Sequence, residues 1–423
     1  MKKEIADILI IGAGPSGMVS AAYLNNQGIN VKVVERAVFP RFSIGESLIP
    51  QCMDNLEEAG LLEAVKIAGF QKKFGARFIK GDKVGEFDFS KKYGEGWDWT
   101  WQVPRADFDM ILAEEVKRQG VEILFNTEVL RVDFKGKSSV TTIKEANGNI
   151  SELHARFIID ASGFGRVLAH QLGLEAKPQI AAHSSIFTHI KETGRPKGKE
   201  GELITFEVLD TGIWFWYFPF SNGNSSLGFV APNAWFKDFP ADTGQAMKEM
   251  LGKLEYYSGR FDDYPFLFTP QTVENISKNV TRLYGDGYVL TGNSAEFLDP
   301  VFSSGVSFAT ASGLLAAKLA IRELNNENPD WEKEYVAYLK RGIDVFSTYV
   351  NEWYSGNLQK IIFHPNPRPE IKAQICAVLA GYVWDESNPF VKKHNRIVGN
   401  VAKLIEMEEK TGKTGKNVSG LLK

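Results

Sequence analysis

Gly12, Gly14 and Gly17 have the spacing GxGxxG, and a carboxylate, Glu35, follows 23 positions after the first of them. That set does binding chemistry. The first glycine makes a tight turn, the second lets the backbone approach a pyrophosphate, and the third lets a helix pack closely on a strand. Ser16 lies within the turn, and the helix opening at Pro15 directs its first amides at the diphosphate. Glu35, with Arg36 beside it, closes the following strand, where a carboxylate accepts from ribose hydroxyls. A second stretch, "GIWFWYFPF" at 212–220, crowds six aromatic rings into nine positions. It is either a core strand or a wall facing a planar ligand.

The elements that must position these residues are legible around them. Ile8 to Ile11 form an unbroken apolar run, as expected of a parallel strand buried on both faces. The glycine turn, a helix and the strand "INVKVVE" complete a βαβ unit. "RFIIDASGFGRVLAHQLG" predicts a strand ending at Asp160, with Gly163 in the turn after it. Tyr288–Thr291 is a further strand, leading through Gly292, Asn293 and Asp299 to a long helix of small residues after Gly305 and Val306. Between 180 and 275, "HSSIFTHIKETG", the aromatic stretch and "DYPFLF" read as antiparallel strands separated by Asn/Gly turns. Strand alternation puts Trp214, Trp216 and Phe218 on one face, and Phe215 and Tyr217 on the other. Trp97, Trp99 and Trp101 also read as a strand, followed by a helix from Arg105. Apolar residues at helical spacing predict helices over about 330–423.

The expected organisation is a discontinuous dinucleotide domain (1–80, 100–178 and 280–330), a β-sheet substrate domain (81–99 and 179–279) and a helical C-terminal region (331–423). A chain of 423 residues supports two or three such units. Net charge of −3 offers no bulk attraction to nucleic acid or an anionic membrane, and "KTGKTGKNVSGLLK" at the end reads as a solvated tail. No apolar segment reaches membrane-spanning length, and the run after the first lysines is too short for a signal peptide. The two cysteines, far apart, fit a reducing compartment, so a cytoplasmic protein is expected. Six histidines without ligand spacing, and no CxxC, predict no metal site.

Together the glycine fingerprint, the Asp160 segment and the 288–321 segment resemble the FAD-dependent aromatic monooxygenases of the p-hydroxybenzoate hydroxylase fold. The resemblance implies an α/β protein with a Rossmann-like FAD-binding domain of the glutathione-reductase type, an antiparallel substrate sheet and a helical end. FAD is the implied cofactor. Arg105 matches the family's flavin-contacting "R…FD..L" segment, and Asn293 stands where the family usually carries Asp. No second GxGxxG provides a nicotinamide domain.

Within that superfamily the chain is most similar to the flavin-dependent halogenases. "VFPRFSIGESLIP" resembles the segment that runs beside their cofactor, which points to Arg41, Ser43, Ile44 and Gly45. Lys73, Gly75 and Phe78 match the setting of their conserved lysine. In those enzymes reduced flavin and O2 form a C4a-hydroperoxide that oxidises chloride or bromide to hypohalite, and the lysine relays it to an electron-rich ring. By the same resemblance, Ser304 and Gly305 would hold the halide on backbone amides. Trp214, Trp216 and Pro219 match the W-x-W-x-I-P wall, with Phe218 in place of Ile. Phe302 stands where tryptophan halogenases have a glutamate, so the chain resembles the phenol and pyrrole type more. A separate flavin reductase is implied. Two alternatives stay open: aromatic hydroxylation with NAD(P)H, and isoprenoid reduction of the geranylgeranyl-reductase kind, since "WFWYFP" also fits that group's tunnel motif.

Overall fold

The computed structural model describes residues 5–177, 183–274 and 277–411. The expected solvated tail lies almost wholly outside them. Two large sheets organise the chain. In the first, the strands Tyr288–Leu290, Ile150–Asp160, Ile5–Ile11, Val31–Val34 and Glu122–Leu124 are neighbours in that order and run parallel. The short strand Tyr284–Gly285 extends it antiparallel, and a hairpin of Glu128–Lys135 and Ser138–Lys144 leaves one edge of Ile150–Asp160. Leu9, Ile8 and Ile10 are fully buried because helices cover both faces of the parallel strands.

The helices Pro15–Asn26 and Gly305–Leu324 pack side by side on this sheet. Their approach depends on small residues. A Cβ on Gly313 would lie 2.5 Å from the Ser16 carbonyl, and Ser20 donates to the Gly313 carbonyl at 2.9 Å.

The second sheet has seven strands, ordered Gln271–Val273, His183–Lys191, Asn224–Pro232, Ile213–Pro219, Thr205–Asp210, Gly75–Lys80 and Lys83–Asp88. All pairs are antiparallel except Thr205–Asp210 with Gly75–Lys80. This departs from the expected boundary: Gly75–Lys80 belongs to the second sheet, because residues 71–73 turn the chain out of the first domain by pairing with Thr100–Gln102. "DYPFLF" forms no strand; only Phe266 bridges to Ile190. Of the three tryptophans at 97–101, Trp101 alone lies in a strand.

The aromatic stretch is the strand Ile213–Pro219, buried on both faces. Trp214, Trp216 and Phe218 pack toward the C-terminal helices with Phe206, Tyr349 and Trp353. Phe215 and Tyr217 pack the other way, against Met247, Met250, Tyr257 and Phe261. Gly228 on the neighbouring strand makes room for the Trp216 indole, which a Cβ there would meet at 2.3 Å. The helices Ala337–Tyr354, Asn357–Ile362, Pro369–Leu379 and His394–Thr411 form the helical end.

One buried carboxylate locks the second sheet. Glu192 accepts from Tyr217 at 2.7 Å, Ser225 at 2.9 Å and Arg260 at 2.7 Å, with Arg195 at 3.2 Å. Burial raises its carboxyl affinity for protons, but the Arg260 and Tyr217 hydrogen bonds outweigh it and hold the group below the usual carboxylate range. Glu192→Gln should lower stability by about 3 kcal/mol near neutral pH, since it leaves buried donors and an arginine uncompensated. A depressed folded-state pKa gives stability above the unfolded value that is lost as pH falls through the folded one. The difference in melting temperature between wild type and Glu192→Gln should therefore shrink below about pH 4.

Candidate active site

An elongated cleft crosses the carboxyl ends of the parallel strands, and most residues expected to bind the cofactor line it. Gly12, Gly14, Ser16, Glu35 and Arg36 line it, as do Gly163, Gly292 and Asn293. Arg41, Ser43, Ile44, Arg105, Gly305 and Val306 line the remainder. Gly12 has φ +104°, and a Cβ there would lie 2.4 Å from the Ala161 carbonyl, so this turn admits only glycine. The Glu35 carboxylate accepts from the Ala13 and Ala37 amides, both at 2.8 Å, which fixes it at the cleft mouth.

Three expected cofactor residues do not line the cleft. Gly17 acts behind it: a Cβ would meet the Gly12 carbonyl at 2.0 Å. Asp160 is fully buried, its oxygens occupied by the amides of Ser162 (2.9 Å) and Leu168 (2.8 Å). Asp299 accepts from the Val301 amide at 3.1 Å and the Tyr354 hydroxyl at 2.7 Å. Both acids shape loops, and burial pushes their carboxyls up. A residue not singled out from sequence, Asp109, organises the cations. It is fully buried, pairs with both nitrogens of Arg105 (2.8 and 2.9 Å) and with Arg41 at 3.1 Å. Arg105 also donates to the Ile44 carbonyl at 2.7 Å.

A second cavity adjoins this cleft. Ile44, Gly45, Phe164, Phe297, Gly305 and Val306 line both. Its far wall is Trp214, Trp216 and Phe218, and its polar edge is Glu46, Ser47, Ser185 and Ser303. Pro219 follows the wall as the last strand residue. Ser304 is buried at the head of the helix Gly305–Leu324; Ser303 and Gly305, on either side of it, face the cavity. Ser303 has φ +59°, a left-handed turn that bends the chain into the helix.

Lys73 reaches this cavity indirectly. Its side chain is 2% exposed, and Nζ donates to Ser47 Oγ at 2.8 Å and the Leu48 carbonyl at 2.7 Å. Ser303 in turn donates to Ser47 at 3.1 Å. Burial pushes the amine down to about 7, and no carboxylate among the described residues pairs with it. Phe302 instead packs on Tyr349 and Trp353. Lys73, Ser47 and Ser303 thus form a hydrogen-bonded line from the buried amine to the cavity floor.

Two helix amino-termini converging on a cleft with a glycine floor and three arginines suit a dinucleotide diphosphate. The cleft shares residues with a ring-lined cavity beside it, and that juxtaposition suits FAD. The fold and site together define an FAD-dependent oxidoreductase with a second, ring-lined chamber beside the cofactor cleft.

Residues 5–208 match the FAD binding domain family. The chain is 31% identical to a 1H-pyrrole-2-carbonyl-[peptidyl-carrier protein] brominase of Pseudoalteromonas luteoviolacea, covering 90% of this chain and 92% of the relative. It is 27% identical to the corresponding chlorinase of Pseudomonas fluorescens, covering 89% of each. Among solved structures, a flavoprotein/dehydrogenase from Cytophaga hutchinsonii is 49% identical with a TM-score of 0.94, over 96% of this chain and all of that one. The flavin-dependent brominase Bmp2 shares the fold at 24% identity, with a TM-score of 0.80 over 97% of this chain and all of its own. The chain belongs to the flavin-dependent halogenase family. Among the described residues no helix is long and apolar enough to cross a membrane, and no His, Cys, Asp and Glu group is placed to hold a metal ion.

Gly17→Ala tests the cradle directly. The added methyl would meet the Gly12 carbonyl, so the glycine turn must shift. The purified variant should keep its far-UV circular dichroism and lose most bound flavin, measured by absorbance against wild type. Full flavin content would contradict the arrangement.

Proposed function

We propose that this protein oxidises bromide or chloride and delivers the halogen through Lys73 to an electron-rich aromatic or pyrrole ring. Bound FAD, reduced by a separate reductase, supplies with O2 the two-electron oxidation of halide to hypohalous acid. The amides at Ser304 and Gly305, at the start of the helix Gly305–Leu324, would hold the halide, as an oriented helix terminus attracts an anion. The Lys73 amine then attacks the halogen of the hypohalous acid: an N–halogen bond forms, the O–halogen bond breaks and water leaves. The ring carbon takes the halogen, the N–halogen bond breaks, and the ring proton is lost as the amine is restored.

The observation that carries this reading is the burial of Lys73, whose amine donates to Ser47 and the Leu48 carbonyl with no carboxylate beside it among the described residues. A lysine held near pH 7 by burial is a neutral, nucleophilic amine in a large fraction of molecules. A solvated lysine is almost wholly ammonium at that pH and has no lone pair to offer. Trp214, Trp216 and Phe218 form the wall that would keep the ring on the lysine side of the chamber. A phenol or pyrrole fits the apolar lining, and a pyrrole agrees with the two named relatives. No residue or relative described above favours hydroxylation or isoprenoid reduction.

Lys73→Met should abolish halogenation of a phenol or pyrrole panel, by at least about 100-fold, while FAD content stays at the wild-type level. Product formation at the wild-type rate would refute the relay. With wild type, the halogenation rate should rise between pH 6 and 8 through an inflection near 7, as the amine loses its proton. The same proton links to folding. Between about 7 and 10.5 the unfolded chain binds it and the folded chain does not, so wild-type stability should rise with pH there. Lys73→Met should lack that rise.

A further inference from the structure

We propose that Glu46, held by His189, recognises and deprotonates an acidic O–H or N–H on the ring, and so confines the substrate to phenols and N–H pyrroles. This deepens the halogenase reading and rests on it for the reaction, though not for the recognition.

Glu46 is 2% exposed and lines the chamber whose far wall is Trp214, Trp216 and Phe218. Its Oε1 lies 2.7 Å from His189 Nε2, which fixes the rotamer of the carboxylate. Phe42, Phe220 and Phe268 surround the His189 ring and fix it in turn. The other oxygen, Oε2, is buried without a hydrogen-bond partner. A buried carboxylate oxygen left without a donor is costly, and it persists where a ligand supplies the donor. The remainder of the chamber offers few rivals: besides Glu46 and the serines 47, 185 and 303, its lining is apolar or glycine. Ser47 follows Glu46 in sequence and accepts from Lys73, so the carboxylate and the amine reach the chamber from adjacent residues.

The chemistry follows from that adjacency. A phenol whose O–H reaches Oε2 would place its ring in the chamber that Glu46 and Ser47 line, Ser47 being the residue that Lys73 donates to. The O–H bond breaks, the proton passes to Oε2, and the electron pair flows into the ring. A ring carbon ortho or para to that oxygen bonds the halogen as the N–halogen bond breaks, and the Glu46 proton goes to the lysine nitrogen. The remaining ring proton moves from carbon to oxygen as aromaticity returns, so the net change is one hydrogen passed from ring to amine. A pyrrole N–H serves in the same way. An O-methyl or N-methyl ring has no hydrogen to give and would leave Oε2 unpaired.

Equilibrium binding to the oxidised, FAD-loaded protein tests the recognition without any turnover. 4-Methylphenol and its methyl ether are titrated while the tryptophan fluorescence is followed. Wild type should bind the phenol at least about tenfold more tightly than the ether, the value of a hydrogen bond to a charged acceptor. Glu46→Gln should lower that preference to about twofold by weakening the phenol and leaving the ether unchanged. If Glu46→Gln fails to hold FAD, Glu46→Asp replaces it and should show the same loss. Wild type that binds both compounds equally or binds neither, or a variant that keeps the full preference, overturns the proposal. Phenol preference in a protein that yields no halogenated product would refute the halogenase reading and leave this recognition standing.

Discussion

The constraint on which the site depends is a lysine amine kept out of water without a counter-charge. An unpaired ammonium in such a place is too costly to persist, so the group answers by releasing its proton more readily. The surroundings support that choice. Ser47 and the Leu48 carbonyl accept hydrogen bonds from the amine without bringing a charge. Cys52, also buried, is pushed up to about 12, chiefly by burial, and stays a neutral thiol beside it. Among the described residues no carboxylate pairs with the amine to restore the charged lysine. The neutral amine is made by what is withheld from it.

Holding such an amine requires a rigid frame, and the chain builds it from the junction of its two sheets. The strand Gln71–Lys73 pairs with Thr100–Gln102, and Ser47 bridges to Gln102. The Leu48 amide donates to the Trp101 carbonyl at 3.1 Å, and Gln102 reaches the Glu202 carbonyl at 2.9 Å. These contacts lie between the first domain and the strand Gly75–Lys80, which opens the second sheet. The aromatic strand completes the frame from the other side. It is a wall toward the chamber and a core strand behind it, and both follow from simple alternation with a glycine, Gly228, opposite the larger ring.

The readable part of the site is the part whose chemistry is local in sequence. GxGxxG works through turns a few residues long, so Gly12, Gly14 and Gly17 carry their meaning wherever the rest of the chain goes. Alternation alone put Trp214, Trp216 and Phe218 on one face. Two acids were less legible: Asp160, at a strand end, and Asp299, at the head of a short turn, were expected to hold the cofactor, yet neighbouring amides and Tyr354 use their oxygens. Asp109 was hidden because helical spacing explains it equally well as a surface partner of Arg105; only the fold brings Arg41 to it. The pairing of Glu46 with His189 spans 143 residues, and no pattern in one sequence encodes that contact. The first domain's boundary was drawn past Lys73 because nothing in "GARFIK" says which sheet it will join.

The short segment from Ile44 to Ser47 reconciles the two halves of the molecule. Ile44 and Gly45 line the cofactor cleft and the chamber alike, and the Ile44 carbonyl is tied to Arg105. Glu46 and Ser47 belong to the chamber, one presenting a carboxylate and the other receiving the lysine. Gly45, at φ +103°, allows the chain to turn between these duties, and a Cβ there would crowd Arg105 at 3.0 Å. A shift of this segment by one residue would exchange residues lining the cleft for residues lining the chamber. The register is set from outside by the hydrogen bond of Val103 to the Glu46 carbonyl at 2.7 Å and by that of Leu48 to Trp101. Cofactor binding, the buried amine and the ring chamber are therefore one mechanical unit, and a change in any of them is felt through four consecutive residues.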